Sequence, residues 1–173
     1  MKKLTVCLVA VILCAAAVLT GCSKSDGHDG YKMIANDACD FYFYVPETWT
    51  VSLSDGTVAA YCSPADMSSI SVMPGELEYA NSTVEDWWET YKTDFAAVYS
   101  EFTLLEEYDA ALDGAAGKCF VFTGKLGENT YRFDLTAVLK HSRLYMLTFT
   151  STPALYENHT DTLDDMKEFF KFR

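Results

Sequence analysis

The chain has 173 residues, with 13 Lys plus Arg against 25 Asp plus Glu and a formal net charge of −12. That acidity excludes capture of nucleic acid or anionic lipid by charge alone. Half of the residues are hydrophobic and 14% are aromatic, which excludes a disordered chain.

Met1-Lys2-Lys3 is a short basic opening, and Leu4 to Leu19 is an almost unbroken apolar stretch. Leu19-Thr20-Gly21-Cys22 closes it. Small residues followed at once by cysteine after such a stretch resemble the bacterial lipobox, Leu-x-Gly-Cys. The resemblance implies diacylglyceryl transfer to the Cys22 thiol, cleavage before it, and anchoring by acyl chains at about 0.8 kcal/mol per buried CH₂. Residues 1–21 are therefore expected to be a signal peptide, and loss of Lys2 and Lys3 with it takes the charge to −14. Ser23 to Gly30 has no apolar residue and two glycines, so residues 22–30 are expected to form a flexible tether. Residues 31–173 are then one folded domain on the outer face of a membrane. No later apolar run reaches transmembrane length.

Within the body, Cys39 to Val45 reads as a strand with Phe41, Phe43 and Val45 on one face, ended by Pro46. Thr50–Leu53 and Thr57–Cys62 flank an Asp55-Gly56 hairpin signal, and Ser69–Met73 is a further strand before Pro74-Gly75. Ser82-Thr83-Val84-Glu85 fits a capping box with Ser82 as cap. The helix it opens carries Val84, Trp87, Trp88, Tyr91, Phe95, Val98, Tyr99 and Phe102 at three- and four-residue steps. Trp87 and Trp88 point about 100° apart on it. They are expected to fill the core, with an exposed interface anchor as the alternative.

Four strands follow: Thr103–Tyr108, Lys118–Leu126, Thr130–Lys140 and Leu144–Ser151. Their short turns predict antiparallel neighbours. In the third, Tyr131, Phe133, Leu135, Ala137 and Leu139 alternate with Arg132, Asp134, Thr136 and Lys140, Val138 being the exception. Phe120, Phe122 and Leu126 are expected to share the apolar face, and so are Tyr145, Leu147 and Phe149. The opposite face, with Thr123, Lys125, Arg132, Asp134 and Thr136, is expected to be solvated. A final helix starts at Thr160, with Leu163, Met166, Phe169 and Phe170 as its stripe. The fold class is α+β: an antiparallel sheet of about six strands, with an N-terminal hairpin, packed against helices.

The run Phe41-x-Phe43-x-Val45-Pro46-x-x-Trp49 resembles the aromatic–Pro–Trp opening of PsbP-like domains. The helix at Val84–Tyr99, the Leu112-Asp113-Gly114 turn, Arg143 to Thr148 and the terminal Phe169 to Phe172 follow in that family's order. The resemblance covers about residues 38–173 and implies a PsbP-like sandwich. Its members are generally binding or accessory proteins, and Phe41, Phe43, Pro46 and Trp49 read as structural positions.

Chemistry-bearing residues are sparse. Cys39, Cys62 and Cys119 lie in the body without CxxC spacing. Cys39 and Cys62 form the candidate disulfide, and three buried thiols are the alternative. His141 falls in a turn and His159 precedes the last helix, close to Asp161. His141 or His159 with nearby carboxylates such as Asp161 makes a weak candidate metal site, against exposed turn histidines. No hydrolase, metalloprotease, phosphate-loop or dinucleotide motif is present. The sequence thus points to a non-catalytic, lipid-anchored envelope protein, needing no cofactor and acting through contact with another envelope protein. A metal-ion or small-molecule binder is the alternative.

Overall fold

A strand forms at Phe41–Pro46 (β2) because alternate aromatic and β-branched side chains can bury one face: Phe41, Phe43 and Val45 are fully buried. A computed structural model describes residues 28–54, 56–77 and 82–173. In it β2 is the centre of a three-stranded antiparallel sheet, between Tyr31–Ala35 (β1) and Lys171–Phe172 (β10). These two flanking strands have no clear alternation of their own and are held in place by β2. His28, which composition places in the tether, stacks its ring on Phe169 at 3.7 Å.

The second sheet has seven antiparallel strands in the order β3-β4-β5-β9-β8-β7-β6. These are Thr50–Ser54 (β3), Thr57–Tyr61 (β4), Ser69–Gly75 (β5), Ser100–Leu112 (β6), Ala115–Leu126 (β7), Asn129–Lys140 (β8) and Arg143–Ser151 (β9). The ten strands among the described residues exceed the six expected, because two separate sheets are built. The β6–β7, β7–β8 and β8–β9 turns are two residues long, and at Asp113-Gly114 and His141-Ser142 both residues have positive φ. This turn geometry matches the twist of the strands.

Val84–Val98 (α1) lies on one face of the large sheet, where Trp88 stacks on Phe120 at 4.1 Å and 11°. Trp88 is buried and Trp87 half-buried, so the pair fills the core. The capping box is formed by Thr83 and Asp86, one residue beyond the Ser82–Glu85 pair: Asp86 N–H donates to Thr83 Oγ1, and Thr83 N–H to Asp86 Oδ2. Moving the start by one places Val84 and Trp88, four apart, on the buried face. Gly124 of β7 makes room for the helix end, since a Cβ there would sit 2.9 Å from Tyr99.

The opposite sheet face is not solvated. It is covered by the small sheet and by Pro153–Tyr156 (α2) and Thr160–Glu168 (α3), giving a second core of Phe41, Phe43, Val72, Leu147, Phe149 and Met166. Asp134 and Thr136 are buried there. The expected phase of β9 is also off by one. The two-residue turn pairs Lys140 with Arg143, so Tyr145 lies opposite Val138 and Leu147 opposite Thr136. Tyr145, Leu147 and Phe149 therefore belong to the second core, and Val138, the break in the β8 alternation, joins them. A register set by turn length decides this, and the strand's own pattern does not. No helix among the described residues is long and apolar enough to cross a membrane.

Candidate functional site

The sheet order brings together residues that are remote in sequence. The first residue of β5, Ser69, pairs with Thr150 near the end of β9. The β4–β5 loop (residues 62–68) and the chain leaving β9 (residues 152–159) therefore emerge at the same end of the sheet. The buried hydroxyls of Ser68 and Ser151 join them at 2.8 Å.

The loop is closed by its own backbone, with Cys62 N–H donating to the Ser68 carbonyl and Ser63 N–H to the Asp66 carbonyl. Asp66 Oδ1 accepts the Ser68 N–H at 2.9 Å, which leaves Oδ2 facing His159 Nε2 at 2.7 Å. His159 occupies the N-cap position of α3 yet makes no side-chain cap bond. Its ring is walled by Trp49 and Phe149, each with its ring centre 5.8 Å away. Cys62 completes a cluster in which Sγ, a carboxylate oxygen and an imidazole nitrogen all lie within 4.8 Å of one another. The His159 and Asp66 side chains are 12% and 22% exposed, so the group has one face to solvent.

The electrostatics are those of a thiol held beside a carboxylate. Burial pushes the Cys62 thiol up, and the Asp66 charge pushes it further. Burial also pushes the Asp66 carboxyl up, but the bonds from Ser68 and His159 outweigh it and hold Asp66 below the ordinary carboxylate value. A raised thiol is a poor nucleophile.

Among the candidates from sequence, the structure brings His159 to Asp66 and Cys62 and not to Asp161, which is exposed in the first turn of α3. His141 stands exposed in the β8–β9 turn. Cys39, Cys62 and Cys119 are all free, so the Cys39–Cys62 disulfide is not formed: Cys39 is buried beside β2 and Cys62 faces Asp66. Cys22 lies outside the described residues. Asp66 was missed because it stands 93 positions from His159, with no motif spacing to connect them.

A second polar group is deeply set at its carboxylate, with the Asp134 side chain 3% exposed and that of Lys167 17%. Lys167 Nζ lies 2.8 Å from Asp134 Oδ1, which also accepts from Cys119 Sγ at 3.2 Å, while Tyr156 donates to Oδ2 at 3.3 Å. Burial, then the Asp134 charge, pushes Cys119 up to about 11. Every oxygen of Asp134 is partnered, and the group clamps α3 onto β8.

The outer edge of the large sheet is β6, 13 residues long with two bulges and a positive φ at Glu101. It exposes Leu104, Leu105 and Tyr108. Two open surface depressions, one at Ala35–Asp37 with Leu53 and Ser54, the other at Gly75–Leu77 with Ser142 and Arg143, contain no nucleophile–base pair.

No family model matches the sequence, and no curated protein matches it. Solved structures do match in fold. The solution structure of cyanobacterial PsbP from Synechocystis sp. PCC 6803 has a TM-score of 0.63 at 14% identity, covering 89% of this chain and 99% of that one. The Ran-binding protein Mog1p of Saccharomyces cerevisiae has a TM-score of 0.59 at 12% identity, covering 82% and 95%. A Pseudomonas aeruginosa protein of unknown function, PA94, has a TM-score of 0.56 at 13% identity, covering 78% and 91%. Likeness at these identities establishes the fold alone.

Proposed function

We propose, from the premise that this chain has the PsbP-like sandwich fold, that it is a lipid-anchored, extracytoplasmic accessory protein. Cys22 carries the lipid, the segment from Cys22 to His28, where the chain docks on Phe169, gives reach, and the body binds another envelope protein without catalysing a reaction. The observation that carries this reading is the β6 edge. A strand of this length with an unpaired outer edge and exposed Leu104, Leu105 and Tyr108 offers backbone hydrogen bonds and apolar contact together. The bulges and the acidic Glu101, Glu106 and Glu107 discourage indiscriminate pairing and leave a selective surface. The lipobox residues support the address. One solved structure of this fold is named a Ran-binding protein, so the sandwich is compatible with a binding role.

Cross-linking in the native envelope, with capture through the C-terminus and mass spectrometry, tests the proposal. A reproducible partner is expected with the wild-type chain. Leu105→Glu should lose it while the protein stays folded and anchored, and Cys22→Ala should release the protein from the membrane. A partner list unchanged by Leu105→Glu would exclude the β6 edge, and no partner at all would sink the accessory reading. The second reading, a metal-binding lipoprotein, is favoured by the Cys62–Asp66–His159 cluster.

A further inference from the structure

We propose that Cys62, Asp66 and His159 form a three-ligand site for a borderline-soft divalent ion of the zinc type, with a fourth position open to solvent. The inference does not depend on the partner-binding proposal, because it is read from metal binding by the isolated protein.

The donor set selects the ion. Thiolate sulfur and imidazole nitrogen suit zinc and its neighbours, whereas calcium and magnesium require oxygen donors throughout. Charge agrees: a thiolate and a carboxylate neutralise a divalent ion, and a neutral imidazole adds none. A largely buried site can then hold the ion without stranding net charge. Separations agree as well. Ligand atoms around tetrahedral zinc at about 2.0–2.3 Å stand roughly 3.3–3.6 Å apart. The three atoms here lie within 4.8 Å of one another; on binding, His159 and Asp66 open by about 0.6 Å from 2.7 Å and the Cys62 sulfur draws in, shifts within the reach of side-chain torsions.

The surroundings have the form of a metal site's outer shell. Ser68 N–H fixes Asp66 through Oδ1, so the other oxygen is the one aimed at the cluster. The aromatic rings of Trp49 and Phe149 hold the imidazole plane. Cys62 is the one thiol of the three that is not fully buried, and it is the one in the cluster. Binding is balanced simply. The Cys62 thiol loses its proton to solvent as the S–metal bond forms, and a His159 proton on Nε2 moves to Nδ1 so that Nε2 can donate its lone pair.

The test uses the full-length chain, reduced and held in detergent, titrated with Zn²⁺ against a chromophoric chelator. One Zn²⁺ per chain is expected, with no competition from Ca²⁺. Cys62→Ser, Asp66→Asn and His159→Gln should each weaken binding by more than about ten-fold, the scale on which outer-shell losses already act. Cys39→Ser, Cys119→Ser and His141→Gln should leave it unchanged. Co²⁺ in place of Zn²⁺ should give thiolate-to-metal charge-transfer absorption that Cys62→Ser abolishes. A readout independent of variant folding is alkylation of the wild-type chain, in which Zn²⁺ should protect Cys62 and leave Cys39 and Cys119 unchanged. Absence of stoichiometric Zn²⁺, absence of the charge-transfer band, or equal alkylation of Cys62 with and without Zn²⁺ would each overturn the proposal.

Discussion

Two groups of nearly the same residue types sit at different depths in this protein. Cys119, Asp134 and Lys167 meet between β7, β8 and α3, and Cys62, Asp66 and His159 meet at the end of the sheet. In the first, Lys167 supplies a permanent cation, Asp134 is 3% exposed, and all its oxygens are occupied. In the second, the third member is an imidazole that needs no charge, and one face is open. The closed group carries its own counter-ion and has nothing left to bind. The open one has two potential anions and a third member, His159, that is charged only when protonated. The identity of the third residue and the exposure of the carboxylate, 3% for Asp134 against 22% for Asp66, separate a clamp from a receptor, although the thiol and carboxylate are common to both.

The largest effect is expected at the clamp. Asp134→Ala leaves the partly buried Lys167, 17% exposed, without its partner and should lower stability by about 3 kcal/mol, measured by urea denaturation. Replacing both together, Asp134→Leu with Lys167→Met, should recover most of that loss. A single-variant loss under about 1 kcal/mol would show that the pair is not shielded from water. At the open group the sign differs, because stability is added from outside. Zn²⁺ at 100 times its dissociation constant should raise unfolding stability by about 2.7 kcal/mol. Cys62→Ser should remove this increment and Cys119→Ser should leave it intact. Equal stabilisation of both variants would erase the distinction between the two groups.

Legibility in the sequence divides along the same physical line. Alternation in β7 and β8, the aromatic stripe of α1 and the tight turns are local signals, and they convey the sandwich architecture. The partnerships across it are not local. Val138 already broke the β8 alternation, yet only the β8–β9 register shows that it faces Tyr145 in a second core. Asp134 and Thr136 read as solvent-facing because α2 and α3, which cover them, come later in the chain. Asp66 carried no signal, since its meaning depends on β5 and β9 being neighbours. His159 stood out as a potential ligand, but Asp161 lay nearest in sequence and Asp66 nearest in space.

The hydroxyl pair Ser68–Ser151 is the joint that lets the open group exist. Both side chains are buried, so Ser151→Ala strands the Ser68 hydroxyl and should cost about 1–2 kcal/mol in thermal or denaturant unfolding. The same change should loosen the loop that presents Asp66. A loss indistinguishable from zero would mean that water replaces the missing partner.

A third aspartate extends the comparison to the surface and carries the smallest effect. Asp113 Oδ2 accepts the Phe172 N–H at 3.0 Å and Oδ1 lies 3.2 Å from Lys171 Nζ, pinning β10 to the β6–β7 turn. Its side chain is 30% exposed, against 3% for Asp134 and 22% for Asp66. Burial pushes this carboxyl up, but the Phe172 and Lys171 bonds outweigh it and hold it below the ordinary value. A depressed carboxylate contributes stability above its unfolded value, near pH 4, and that contribution fades as the pH falls through the lower folded value. Asp113→Asn keeps a residue that tolerates the positive φ of 45° while removing the charge. The variant should be less stable than wild type by under about 1 kcal/mol at pH 7, because solvent screens the pair. The difference should close as the pH drops below 4. Denaturant curves at both pH values decide it, and a gap that widens in acid would show that Asp113 does not hold the C-terminus through its charge.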